Sequence, residues 1–489
     1  VMVTAGPTRI ACLVTVASAF VAIWIFFLRR VDPTYHDVHR RAPGMAAILV
    51  ALSLAMTAAG AVFNRNGETA GVRKVSVLAA MPDIFLLSSD GMEVDRMSLY
   101  GYSRPTTPFL ESFREQAVIF PNVFANGDKT AASLPSVLTG RHPLSSRKVV
   151  HTNVFSGVDS YRHLPGILKN HGYRTVQIGN GDNVDAFKWN MRDAFDQRNR
   201  THAGVKIFWR VPSGLLSRSG MELYFSQYVL DRAAERLLHV LFVKDSEGNI
   251  NAPTFYDEAM VEFFLELIRK PSPPLFVQMH LERTHAVHVA PNDASVADDG
   301  KMYEEGILAV DGIFRILIQG LRDSGRFENA VIVIYTDHGY KYRLNHRLPL
   351  LMRFPGERQA VMTEANVQML DIAPTLLDYL GIPAPEWMEG SSLFRPLESD
   401  RVVIGLTGGY GLPGLPLIGS SARLHEPHLL HAVQRQRFFT LDLYKKTLVR
   451  EDVAGHTAPA DGGLLEDGEM RALMEKFVRD RGIDFSAGN

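Results

Sequence analysis

The strongest constraint on the fold is a series of short, almost wholly apolar runs separated by longer amphipathic stretches, beginning near Asp83. DIFLLSS (Asp83 to Ser89), TVQIGN (Thr175 to Asn180), PLFVQMHL (Pro274 to Leu281), AVIVIYT (Ala330 to Thr336) and LPLLMRF (Leu348 to Phe354) read as strands. Tyr303 to Ser324 reads as one of the intervening helices. This alternation predicts βαβ units and an α/β fold with a mostly parallel sheet flanked by helices. Two of the strands run directly into an acid, Asp90 and Asp337. Ligands of open α/β sheets bind beyond the carboxyl ends of the strands, so both carboxylates fall where a site is expected.

Of the 489 residues, 46% are hydrophobic and 21% charged, enough for one large domain with additions. A net charge of -1 without a long basic run offers no electrostatic footprint for nucleic acid, and that class is set aside. The single cysteine, Cys12, lies in an apolar stretch, which excludes an intrachain disulfide and a thiol nucleophile or thiolate zinc site in the soluble part.

Two charge-free runs, 10–28 and 44–63, are each long enough for a helix to cross a bilayer at about 1.5 Å per residue. The loop between them carries Arg29, Arg30, Arg40 and Arg41 against Asp32 and Asp37. Positive charge favours the cytoplasmic side, so the second helix is expected to deliver the rest of the chain to the outer, periplasmic or extracellular, face. The chain opens on Val1, which leaves room for further spans upstream. Residues 1–78 are thus expected to form a membrane anchor, 79–397 a catalytic domain and 398–489 a smaller C-terminal subdomain. The last contains isolated strand-like pieces such as LHAVQRQRFFTLDLY and a charged helix from Leu465 to Arg481. Arg198 to Ser272 fits the alternation poorly; its piece VKIFWRVPSGLL reads as a satellite core ahead of a contact with the membrane or a substrate.

The most informative segment is SSDGMEVDRMSLYGYSRPTTPFL (Ser88 to Leu110), followed by NGDKTAASLPSVLTG (Asn126 to Gly140). Together with AVIVIYTDHG, VQMLDIAPTLLDYLGI and EGSSL further on, it resembles the sulfatase-like branch of the alkaline phosphatase superfamily, from about Pro82 to Leu393. Five ordered motifs at compatible spacing carry the resemblance, where any one alone is weak. Asp90 and Asp337 supply anionic oxygens and His338 an imidazole, a mixed set suited to Zn²⁺ or Mn²⁺ ahead of Ca²⁺ or Mg²⁺.

Thr130 stands where the family keeps its nucleophile, and TAASLPS around it is similar to phosphoethanolamine transferases and lipoteichoic acid synthases. The resemblance implies a metal-bound Thr130 that attacks a phosphoryl ester of phosphoethanolamine or phosphoglycerol type. The partners it implies are the membrane itself and a lipid or envelope ester as substrate. A threonine hydroxyl needs a metal to favour its alkoxide, and a helix beginning there offers amides to the attacked anion. Pro135 is expected near the first turn of that helix, Gly140 at its end, and Ser133 as a supporting hydroxyl. His285 matches the family's anion-binding histidine; Lys129, Arg147, His288 and His346 are further cationic candidates. Glu93 and Tyr340 depart from the family pattern, and the loop after Tyr340 is short. Two alternatives stay open: a sulfatase or phosphodiesterase type of ester hydrolase, and a non-catalytic membrane scaffold.

Overall fold

The computed structural model describes residues 81–149, 153–180, 184–186, 188–200, 254–285, 299–356, 359–408, 427–457 and 463–482. The two apolar runs at 10–28 and 44–63, most of the 198–272 stretch, and His288 lie outside them. No helix among the described residues is long and apolar enough to cross a membrane.

Thirteen strands are described: β1 (Asp83–Ser89), β2 (Val118–Ile119), β3 (Val123–Phe124), β4 (Arg174–Gly179), β5 (Gln197–Arg200), β6 (Leu275–Leu281), β7 (Ala330–Thr336), β8 (Leu350–Arg353), β9 (Val367–Gln368), β10 (Val402–Gly408), β11 (Pro427–Gln434), β12 (Arg437–Asp442) and β13 (Thr447–Asp452). Their main sheet runs β2-β8-β7-β1-β6-β4-β5. From β7 to β5 every pairing is parallel. The LPLLMRF run departs from this, since β8 pairs antiparallel with β7. The chain returns from β7 to β8 without an α-helix, and a parallel connection needs a crossover of that kind.

Every residue of β1, β6 and β7 is buried, as expected of strands covered on both faces. Side chains alternate across a strand, so Ile84 and Leu86 feed one core while Phe85 and Leu87 feed another. The first core takes Leu134, Val137 and Leu138 from helix α1 (Thr130–Thr139). The second takes Met260 and Phe264 from α2 (Thr254–Arg269), and Ile307, Val310, Phe314, Leu317 and Leu321 from α3 (Asp299–Asp323). The spacing on α3 is that of one helical face, which is why a long amphipathic segment docks there.

Strands β10 to β13 form a separate antiparallel sheet. Its core of Ile404, Leu406, Leu430, Phe439 and Leu441 is covered by Met470, Met474 and Val478 of the last helix, Asp467–Asp480. This sheet also touches the segment ahead of α1. Asp128 N–H donates to Leu406 O at 3.2 Å, Gly408 N–H donates to Asp128 Oδ1 at 3.2 Å, and Asn126 Nδ2 donates to Ile404 O at 2.9 Å.

The VQMLDIAPTLL motif is a structural clamp. Asp371 is fully buried, accepts from the backbone N–H groups of Gln368 and Ser391, and takes both Nη atoms of Arg401 at 2.7 and 2.8 Å. Removing one partner of such a pair leaves a buried charge uncompensated. Arg401→Met is therefore expected to lower unfolding free energy by roughly 3–5 kcal/mol in urea titration, and Arg401→Met with Asp371→Asn by less.

Candidate active site

The register of the central strands brings the site together. Ser89 pairs with Thr336 across β1 and β7, so the next residues, Asp90 and Asp337, leave the sheet side by side. On the other flank of β1, Ser88 pairs with His280 of β6. Helix α1 begins at Thr130 and is tied to the same place: the Ser133 hydroxyl donates to the backbone carbonyl of Asp337. That contact fits the supporting role expected of Ser133. Pro135, in contrast, sits mid-helix and not in the first turn. Its ring removes one backbone donor, while the Ser136 and Thr139 hydroxyls donate to Ala132 O and Pro135 O at 3.0 and 2.7 Å. Gly140, at φ 62°, closes the helix.

The Thr130 hydroxyl donates to Asp90 Oδ2 at 3.2 Å and lies 3.4 Å from His338 Nε2. His338 Nε2 is in turn 3.6 Å from Asp90 Oδ1 and 3.4 Å from Asp337 Oδ2. Its other nitrogen, Nδ1, donates to Gly339 O at 2.9 Å, which leaves Nε2 with its lone pair toward the cluster when the ring is neutral. His280 is held the same way. Ser88 Oγ gives its single proton to Met279 O, so at 2.9 Å it can only accept from His280 Nδ1. His280 Nε2 then points at Asp90 Oδ2 and Asp337 Oδ2, 3.6 and 3.8 Å away.

Asp90 Oδ1, His280 Nε2 and Asp337 Oδ2 are buried without a hydrogen-bond partner, and Asp90, His280 and Asp337 each offer a ligand atom within 4.8 Å of the others. Orphaned buried polar atoms are costly, and three of them converging on one point fit a divalent cation. His338 and Thr130 border the same point. Oxygen and imidazole donors together are the set anticipated for Zn²⁺ or Mn²⁺.

Charges are strongly coupled here. Burial alone would raise the Asp90 carboxyl, but the imidazoles of His338, His280 and His285 outweigh it and hold it well below the usual carboxylate range. Burial would likewise lower His280, yet Asp337 and Asp90 push it up to about 9, and His338 is raised for the same reason.

The remaining candidates separate into two groups. His285 Nε2 lies 4.0 Å from Asp90 Oδ2, at the more open rim. Lys129 is the cap residue of α1, with Nζ 3.9 Å from Asp128 Oδ2. Arg147 and His346 do not join the cluster. Arg147 follows the far end of α1, a helix about 15 Å long, and donates to Arg481 O at 2.6 Å. His346 is engaged by Asp95 Oδ2 at 2.9 Å and Glu93 Oε2 at 3.6 Å.

Sequence reading missed His280, although an imidazole inside a buried core strand was a usable signal. It also left Glu93 and Tyr340 without a role. Glu93, 1% exposed, takes two bonds from Arg343, at 3.1 and 2.6 Å, and the Tyr340 ring stacks on Tyr303 at 4.0 Å. They brace the loop after His338, in which Lys341 and Tyr342 both have left-handed φ, 53° and 64°. That conformation costs a non-glycine residue on the order of 1–2 kcal/mol. Gly339 is required there, because a Cβ would fall 2.4 Å from Arg343 O.

Because His280, with its pKa raised to about 9, is protonated at neutral pH in the metal-free protein, cation binding must displace that proton. Cation affinity is expected to climb between pH 7 and pH 9. Titration calorimetry at pH 7 in buffers of different ionisation enthalpy should detect proton release; its absence would show that His280 is not a ligand.

The sulfatase family model matches residues 82–382. N-acetylglucosamine-6-O-sulfatase of Bacteroides thetaiotaomicron is 32% identical over 65% of this chain and 71% of its own length. Arylsulfatase K of Bos taurus is 22% identical over 71% of this chain and 70% of its own. Among solved structures, a lipoteichoic acid synthase from Listeria monocytogenes superposes with a TM-score of 0.52 at 16% identity, over 82% of this chain and 91% of that one. With the family's match spanning both strand-end acids and Thr130, on a fold shared with solved members of the alkaline phosphatase superfamily, this chain belongs to the sulfatase family of enzymes.

Proposed function

We propose that the chain is a divalent-metal-dependent ester hydrolase of the sulfatase type, with Thr130 as its nucleophile. The observation that carries the reading is the Thr130 hydroxyl at the mouth of α1, 3.2 Å from Asp90 Oδ2 and beside orphaned ligand atoms of Asp90, His280 and Asp337. Asp90, Asp337, His338 and His280 would hold the cation together with Thr130. A cation bound there lowers the pKa of the hydroxyl and neutralises charge on the attacked group.

Thr130 Oγ1 forms a bond to the sulfur or phosphorus while the ester oxygen leaves with the electron pair of the broken bond. Its proton is aimed at Asp90 Oδ2. The first amides of α1 and its positive end stabilise the anion under attack, and His285 at the rim adds a further polar contact. Water then attacks the Thr130 adduct and restores the hydroxyl. Sulfatase relatives support hydrolysis ahead of the head-group transfer that the nucleophile region resembles.

A second reading is favoured by one residue. Threonine is closed to the formylglycine chemistry of sulfatases, which suits it to phosphoryl esters, with either water or an acceptor hydroxyl resolving the adduct. Location at the outer face of a membrane, with a lipid or envelope ester as substrate, belongs to the same proposal and rests on the runs at 10–28 and 44–63 and the arginines between them.

Aryl sulfate, aryl phosphate and phospholipid vesicles, each supplied with Mn²⁺ or Zn²⁺, distinguish these readings by their products. Release of inorganic sulfate fits the first; a phospho-Thr130 peptide by mass spectrometry, or a modified acceptor, fits the second. Thr130→Ala should reduce either activity by at least about 1000-fold without changing thermal stability. Full activity in that variant would remove Thr130 from the mechanism.

A further inference from the structure

We propose that Tyr342 determines specificity at this site: its ring is the wall on which the leaving group of the ester rests, and it favours leaving groups that present a flat ring face, aryl or sugar, over small alkyl groups. The proposal rests on the ester-cleavage reading above.

Tyr342 forms the outer layer of the cluster. Its ring centroid is 5.3 Å from that of His338 and 6.3 Å from that of His285, and Lys129 Nζ stands 5.9 Å away. Beneath it Asp90, His280, Asp337 and His338 are at most 2% exposed and Thr130 is 8%, whereas Tyr342 is 38% exposed. A substituent on a group seated at Thr130 would meet this more exposed layer.

The placement of the ring is enforced. Consecutive left-handed residues at 341 and 342 are unfavourable for non-glycine side chains and persist only where surrounding structure imposes them. Here the imposing contacts are Arg343 on Glu93, Arg343 Nε donating to Tyr340 O at 3.2 Å, Tyr340 stacked on Tyr303, and Tyr342 N–H donating to Gly339 O at 3.1 Å. Tyr303 is itself tied to the strand end, its hydroxyl donating to Gly91 O at 2.9 Å. A half-open aromatic ring held against two imidazoles offers a π face and edge to the leaving group. Aromatic contacts of this kind are worth roughly three- to tenfold in affinity beyond area.

The test uses Thr130→Ala protein, so that intact esters bind without turnover, and measures by calorimetry with Mn²⁺ the affinities of phenyl sulfate, a glucosamine 6-sulfate and methyl sulfate, with the matching phosphates. With Tyr342 or Tyr342→Phe, at least one ring ester is expected to bind about tenfold tighter than the methyl ester. In Tyr342→Ala the ratio should collapse toward one. The ring ester showing the larger loss identifies the leaving group as aryl or sugar. A ratio near one with Tyr342 present, a ratio unchanged by Tyr342→Ala, or no binding of any ester would overturn the proposal. A Tyr342-dependent preference in a protein whose Thr130 form turns over no ester would sink the hydrolase reading alone.

Discussion

Two carboxylates forced together at the ends of neighbouring parallel strands set the terms for everything around them. Asp90 and Asp337 follow residues paired in register, and both are buried. At about 5 Å and an effective dielectric near 20, two such charges repel by roughly 3 kcal/mol. Positive charge must be supplied, and the imidazoles of His280, His338 and His285 gather around them. Both buried imidazoles are turned so that Nε2 faces the acids, an arrangement that hydrogen bonding to Ser88 and Gly339 secures. A cation bound there would replace the protons those rings otherwise carry, and on the proposed reading its field would act on the Thr130 hydroxyl, 3.2 Å from Asp90 Oδ2.

Peripheral elements hold this arrangement at several points. The Ser133 hydroxyl fastens α1 to Asp337, and the C-terminal sheet fastens the preceding turn through Asn126 and Asp128. The loop after His338 is braced by Glu93 and Tyr340, the two positions where the chain departs from the family pattern. Those departures are coupled: a buried Glu93 is tolerable because Arg343 meets it with two bonds.

Much of the candidate site was legible before the fold because acids at strand ends leave a local mark. An apolar run stopping at an acid identifies both the strand and the direction of its carboxyl end, and β1 and β7 begin and end where those runs do. Long-range pairing leaves no such mark. His280 looked like part of a hydrophobic strand, and only the register with Ser88 turns it toward Asp90. Arg147 and His346 looked like free cations, yet one lies beyond the far end of α1 and the other between two carboxylates. Charge in a sequence does not reveal its counter-charge. The family was legible for the first reason, while the choice between hydrolysis and transfer depends on the acceptor side of the pocket, which no local motif describes.

The direct test of the account is where a cation binds. Crystals of the protein soaked in Mn²⁺ should give one dominant anomalous peak bounded by Asp90, Asp337, His338, His280 and the Thr130 hydroxyl. A stoichiometric peak elsewhere, or none at this cluster in protein that is active with Mn²⁺, would contradict it.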